Sequence, residues 1–219
     1  MAEPQLTTYH LSELRIARDP SAKGHLLPAP PPQCRSVLDV GCGAGQTLLG
    51  LNLPAEALAC GVDPDVAALR LGRTLDRQIS LVAATAEQLP LPSESFDFVF
   101  SRVALPYTNI PRAVRELTRV LRAGGQIWLA LHPVAMGLRD LRVALTRGRV
   151  KRAVHCAYVL VNGALLHVVG KQFPFPVGGR YESVQTRRGM IRVLGDAGLT
   201  DVHVRQDEFF VVTARKQVL

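Results

Sequence analysis

The segment VLDVGCGAGQ, residues 37–46, constrains this chain more than any other feature. An apolar run ends in Asp39, and Gly41, Gly43 and Gly45 follow before a helix expected to begin near Gln46. Glycine is needed where a chain turns with positive φ and where a ligand must approach backbone closely. Such a strand–turn–helix joint sits at the ligand edge of an open α/β sheet, and the rest of the chain keeps the rhythm. Apolar runs (ALACGVDP, ISLVAAT, FDFVFSR, GQIWLALHP) alternate with helix-like segments (GQTLLGLNL, DVAALRLGRTLD, IPRAVRELTRVL) from residue 35 to 132. Short apolar strands separated by helices predict crossover units and a mostly parallel sheet covered on both faces.

Local signals set the expected ends. Pro111 suits the first turn of a helix running to Leu121, with Val114, Leu117, Val120 and Leu121 as one apolar stripe. Ala123-Gly124-Gly125 should close that helix. The proline-rich LPAPPPQC, residues 27–34, separates an N-terminal helical piece from the first strand. Between 133 and 185 the alternation lapses into two expected helices, 134–147 and 152–169, and a loop over 171–186. In the second helix Val154, Ala157, Tyr158, Val161, Leu165 and Val168 share a face and should pack over the sheet edge. TRRGMIRVLGDAGL reads as a helix ended by Gly198, and VHVRQ and FFVVTARK as a closing hairpin around Asp207-Glu208.

Composition excludes some classes. No run of 18 uninterrupted apolar residues predicts a membrane span, and the N-terminus lacks the apolar core of a signal peptide. Cys34, Cys42, Cys60 and Cys156 form no CxxC pair and no zinc pattern, so they are expected as reduced thiols in a cytoplasmic protein, with no metal site. The net charge of +8 is concentrated at Arg139, Arg142, Arg147, Arg149, Lys151 and Arg152. A solvated helix surface is the plainer account of that run. RNA, lipid headgroups or a phosphorylated substrate are the partners it would otherwise suit. No aromatic residues interleave it, so nucleic acid is not expected.

A glycine turn alone also fits dinucleotide enzymes, but the spacing here is G-x-G-x-G, not G-x-G-x-x-G. Asp63, closing the next apolar run in ACGVDPD, could accept both hydroxyls of a ribose or merely cap the following helix. Asp65 could take the capping role instead.

Taken in order, VLDVGCGAGQ, GVDPD, TAEQLPLPSESFDFVFS and RVLRAGGQIWLALH resemble the motifs of class I methyltransferases that use S-adenosylmethionine. The likeness is to the branch with ubiquinone and menaquinone biosynthesis enzymes and many small-molecule methyltransferases. It covers residues 35–132 well, the C-terminal helix and hairpin moderately, and the first 32 residues and 133–185 poorly. The resemblance implies a Rossmann-like seven-stranded, mostly parallel sheet with a C-terminal antiparallel hairpin. It implies one domain over 1–219, with residues 1–32 and 133–185 as a helical cap.

The resemblance also implies a site. Asp39, Gly41, Cys42, Gly43 and Gly45 would line the methionine moiety, and Asp63 with Pro64 the ribose. Thr85, Ala86 and Glu87 would flank the adenine, Thr85 standing where the family often has aspartate. Arg102 would lie near the sulfonium or the substrate mouth, and its charge should make it point elsewhere or meet an anionic group. His132, at the end of the IWLALH strand, leads the candidates for a general base, followed by His10 and Tyr107, with Tyr9 and Tyr181 beside them. His155 and His167 are expected to serve packing or surface roles. The acceptor should enter between Tyr9 and His10, the strand ends at Arg102 and His132, and the insertion near Tyr158 and Tyr181.

The implied reaction is methyl transfer to a small or medium organic acceptor, giving S-adenosylhomocysteine. Two other readings stay open: an RNA or protein methyltransferase, and a non-methylating protein that binds S-adenosylmethionine. Against the first, Ser101-Arg102-Val103-Ala104 stands where an Asn-Pro-Pro-Tyr-type tetrapeptide would be. Oligomeric state is left open by the sequence.

Overall fold

The computed structural model describes residues 3–54 and 56–218; the first two residues of the expected 1–32 segment and the last residue of the chain lie outside them. Strands β1 (Ser36–Val40), β2 (Leu58–Asp63), β3 (Ser80–Ala83), β4 (Phe96–Arg102), β5 (Leu121–Leu131), β6 (Leu199–Gln206) and β7 (Phe210–Lys216) form one sheet in the order β3-β2-β1-β4-β5-β7-β6. Pairs from β3 through β5 are parallel; β7 runs antiparallel to both β5 and β6. The expected sheet and hairpin are therefore present. The order runs one way through β1, β2 and β3 and the other way through β4 and β5. Loops leaving β1 and β4 consequently diverge and open a crevice at the carboxyl ends of the strands.

Alternation along each strand divides the core between the two faces. Leu38, Val40, Val99, Ile127 and Leu129 face one cluster with helices α4 (Ile110–Val120) and α7 (Arg187–Asp196). Val37, Phe98, Phe100 and Trp128 face another, closed by Leu26, Cys34 and Leu48. All four cysteines are buried and unpaired.

Three local expectations need correction. The helix after the glycine turn, α2 (Gln46–Gly50), has only five residues, because Leu51 is already extended. Helix α4 ends at Val120 and not at the Ala123-Gly124-Gly125 run, which lies inside β5. There Gly124 takes φ 75°, and the pairing with β4 jumps from Phe96↔Leu121 to Phe98↔Gln126. The glycines accommodate a β-bulge.

The third correction concerns the insertion, where α5 (Val134–Thr146) and α6 (Val150–Val169) form a helical hairpin. The expected stripe on α6 does not pack over the sheet. Val154, Val161 and Val168 are half-exposed or more, while Cys156, Tyr158, Val159, Asn162, Gly163 and Leu166 are buried. Among the described residues α6 alone is long and apolar enough to cross a membrane by length and composition. The N-terminal helix α1 (Glu3–Arg18) and helix α3 (Val66–Leu75) complete the set.

Candidate functional site

The turn after β1 is fastened to β2, since the N–H groups of Gly41 and Cys42 donate to the Val62 carbonyl at 2.7 and 3.1 Å. Gly41 has φ 81°, and a β-carbon on it would stand 2.0 Å from Cβ of Ala104 in the loop after β4. Gly43 has φ 56°, and a β-carbon there would meet the His10 ring of α1 at 2.8 Å. Only glycine fits either position. Cys42 turns its sulfur toward Gly61, and burial holds its thiol far above the ordinary range. It can offer only backbone to a ligand.

Asp63 at the end of β2 accepts from Gly43 N–H through Oδ2 and from Asp65 N–H through Oδ1, both at 2.8 Å. The cap of α3 is Asp65, which accepts from Ala67 and Ala68 at 2.9 and 3.2 Å. Asp63 is thus free of capping, and its carboxylate, with about four acceptor sites, has two left for a ligand.

Beneath the turn lie polar groups without protein partners. Both oxygens of Asp39, both ring nitrogens of His10 and the Ser101 hydroxyl are buried and make no hydrogen bond. Burial pushes the Asp39 carboxyl well above the usual range; Arg102 partly opposes this and Asp63 adds to it. Buried groups are normally satisfied, and one left unpaired costs about 1–3 kcal/mol. A cluster of them beside two cradle glycines fits the charged amino-acid end of a ligand such as S-adenosylmethionine.

Two cavities meet over Asp63. One, of about 470 Å³, is lined by Tyr9, His10, Glu13, Gly41, Gly43, Arg102 and Tyr107 among others. The second, of about 710 Å³, is lined by Pro64, Thr85, Ala86, Glu87 and Thr108, with His155, Tyr181 and Glu182 from the cap. Gly41, Asp63, Ala104 and Tyr107 line both, so one elongated ligand can lie across the carboxylate. Glu87 fixes the floor of the second by accepting from Asn109 N–H at 2.8 Å. Asp39, Cys42 and Gly45 do not line either cavity.

Arg102 is ion-paired with Glu13 of α1, so of the two expected outcomes it meets an anionic group. The pair clips the N-terminal helix over the crevice. His132 lies apart from the two shared cavities. It lines a third, of about 320 Å³, with Tyr107, Asp140, Arg152, His155, Cys156 and Glu182. Its backbone is held on both sides by Gln185, which accepts from His132 N–H at 3.0 Å and donates to its carbonyl at 2.8 Å. Burial pushes the His132 imidazole below its ordinary value, with Glu182 and Asp140 opposing. Tyr107 stands edge-on to that ring at 5.4 Å and borders all three cavities. Burial raises its phenol, so it is a poor base. His10 and His132 are therefore in different cavities, with Tyr107 between them.

Tyr158 lines none of these three cavities. Its hydroxyl lies 2.9 Å from the Phe173 carbonyl and 3.1 Å from that of Arg180, and it accepts from Asn162 Nδ2 at 2.9 Å. It holds the roof in place. His155, expected to serve packing or surface alone, lines the second and third cavities with Nε2 2.8 Å from Glu182 Oε2. Nothing in the sequence signals this pair, because 27 residues separate its members. His167 does serve structure, bonding Thr186 Oγ1 at 2.8 Å. Glu13, Thr47 and Phe209 are other lining residues outside the motifs, and Gln46 closes the glycine motif.

Residues 38–129 match the family model described as a methyltransferase domain. The chain is 39% identical over 135 residues to a demethylmenaquinone methyltransferase of Roseiflexus sp., covering 59% of this chain and 52% of that one. It is also 39% identical over 105 residues to a malonyl-[acyl-carrier protein] O-methyltransferase of Herminiimonas arsenicoxydans, 47% of this chain and 38% of the relative. The chain thus spans about half the length, or less, of these curated relatives. Among solved structures, an S-adenosylmethionine-dependent methyltransferase of Thermotoga maritima superposes with a TM-score of 0.58 at 18% identity, covering 97% of this chain and 92% of that one. The resemblance read from the ordered motifs is borne out, as is the Rossmann-like fold.

Proposed function

We infer that this chain is a class I methyltransferase that takes its methyl group from S-adenosylmethionine. The observation that carries the reading is the unpaired Asp39 carboxylate under the glycine turn, set beside an Asp63 with spare acceptor capacity. The first cavity would take the methionine end, against the backbone of Gly41–Gly45 and near Asp39, His10 and Arg102. Asp63 would accept from the ribose hydroxyls beside Pro64, and the adenine would lie between Thr85, Ala86 and Glu87. When bound, the cofactor supplies an already activated methyl group, so alignment is most of what the protein must add.

Tyr107 stands where the cofactor cavities meet the third one, which we assign to a small or medium organic acceptor. His132 is our general base there. Burial keeps its imidazole neutral near pH 7, ready to take the acceptor's proton. The cap residues 1–32 and 133–185 would exclude water and choose the acceptor as parts of a single domain over 1–219. Relatives named for demethylmenaquinone and for malonyl-[acyl-carrier protein] support an acceptor other than RNA. Four buried free thiols suit the reducing cytoplasm.

Calorimetry with S-adenosylmethionine tests the reading. Gly43→Val should abolish binding, and Asp63→Ala should weaken it by roughly 2–4 kcal/mol, two charge-assisted bonds being incompletely additive. Unchanged affinity in both variants, or tight NAD binding by the native protein, would overturn it. Release of S-adenosylhomocysteine across an acceptor screen separates transfer from binding alone.

A further inference from the structure

The outward face of α6 is an apolar row. Val150, Val154, Ala157, Val161, Ala164, Leu165 and Val168 recur at three- and four-residue steps and are all exposed. Val150 is 72% exposed and Val168 is 62% exposed. From Val150 to Val168, at about 1.5 Å of rise per residue, the row is about 27 Å long. Leu145, 63% exposed, extends it at the tip of the α5–α6 hairpin. Natural surfaces seldom show an apolar strip of this length without a partner.

Charge says which partner. Residues 133–172 contain seven Lys and Arg residues and a single acid, Asp140. Asp140 is already engaged by Arg139 at 3.8 Å and Arg152 at 3.3 Å. Arg142, Arg147, Arg149 and Lys151 are exposed around the hairpin tip and the first turn of α6. An exposed apolar helix face with cations gathered at one end suits a helix lying in a lipid interface, with its aliphatic side chains at the acyl boundary and those cations among anionic headgroups.

We propose that the α5–α6 hairpin docks this protein on the surface of an anionic lipid bilayer, with α6 lying in the interface. The inner face of α6 rules out crossing. Asn162 is fully buried there, donating toward the Phe173 and Glu182 carbonyls at 2.9 and 3.1 Å and accepting from Phe173 N–H at 3.0 Å. Those bonds keep the helix on the protein. His155, on that inner side, lines the crevice.

Sedimentation of the full chain with vesicles tests the proposal, using equal parts phosphatidylglycerol and phosphatidylcholine against phosphatidylcholine alone. Partition should be at least about tenfold higher on the anionic vesicles and fall steeply with salt. Val154→Ser/Val161→Ser/Val168→Ser should reduce it about tenfold while circular dichroism and the melting curve stay native. A single Val161→Trp should show a blue-shifted emission with anionic vesicles only, which keeps the test valid if the triple variant folds poorly. Equal partition on both vesicles, or an unshifted Val161→Trp, would overturn the proposal. So would light scattering that finds a native dimer which the serine variant converts to a monomer, since a second copy would then be the occupant.

Discussion

Helices α4 and α6 each carry an apolar face, yet they are held by different forces. Helix α4 buries Ile110, Ala113, Val114, Leu117 and Val120 completely and leaves its arginines outside. Helix α6 shows a row of valines to solvent and turns an asparagine and a tyrosine hydroxyl inward. The first is fixed by hydrophobic burial against the parallel strands. The second is fixed in large part by a polar hub, in which Asn162 and Tyr158 gather the backbone of Phe173, Arg180 and Glu182. On the proposed function the contrast would follow a division of labour, with a packed platform on the cofactor side and a separately fastened cap on the acceptor side.

The sharpest way to break the contrast is to delete packing from α4. Leu117→Ala should cost about 2–5 kcal/mol in urea denaturation, because a fully buried leucine leaves a cavity in a close-packed core. A loss below 1 kcal/mol would mean that the platform is no better packed than the cap.

Asn162→Ala should cost less, about 1–3 kcal/mol, by leaving Phe173 and Glu182 backbone groups unpaired. Its signature should be local: trypsin should cut at Lys171 or Arg180 faster than in the native protein, while the core melts nearly as before. Uniform destabilisation without faster cleavage would remove the hub from the account.

The smallest expected effect joins the two regions through charge. His132 sits on the platform, and Glu182 of the cap raises its pKa against the lowering by burial. A histidine buried neutral contributes stability above its unfolded value of about 6.5, lost as pH falls through the lower folded value. If His132 is the base, the acid limb of kcat should lie below that of a free imidazole, and Glu182→Gln should move it further down. An acid limb that stays put, or moves up, would detach Glu182 from the base.

The parallel strands, their order along the chain, the closing hairpin and the glycine turn were all legible in the sequence. Each rests on local patterning: a buried strand is apolar throughout, and positive φ selects glycine. Asp63 was legible as a ligand or a cap, and the neighbouring Asp65, two residues on, resolved the choice once the α3 cap was seen. Sequence also offered an anionic partner for Arg102 as one of two outcomes, but could not find Glu13, which stands 89 residues earlier.

What tertiary structure alone decided shares one physical cause. Helical spacing on α6 picks out a face but carries no sign for whether that face turns in or out, because the helix is apolar nearly all round and its buried side is chosen by what packs there. Asn162 finds its acceptors in a loop 11 and 20 residues away, and that long-range satisfaction of buried polar groups points the valines outward. The pairing of His155 with Glu182 and the wall that Tyr107 sets between His10 and His132 arise in the same way. Periodicity along the chain wrote the platform; contacts between distant segments chose the face of the cap and the shape of the site.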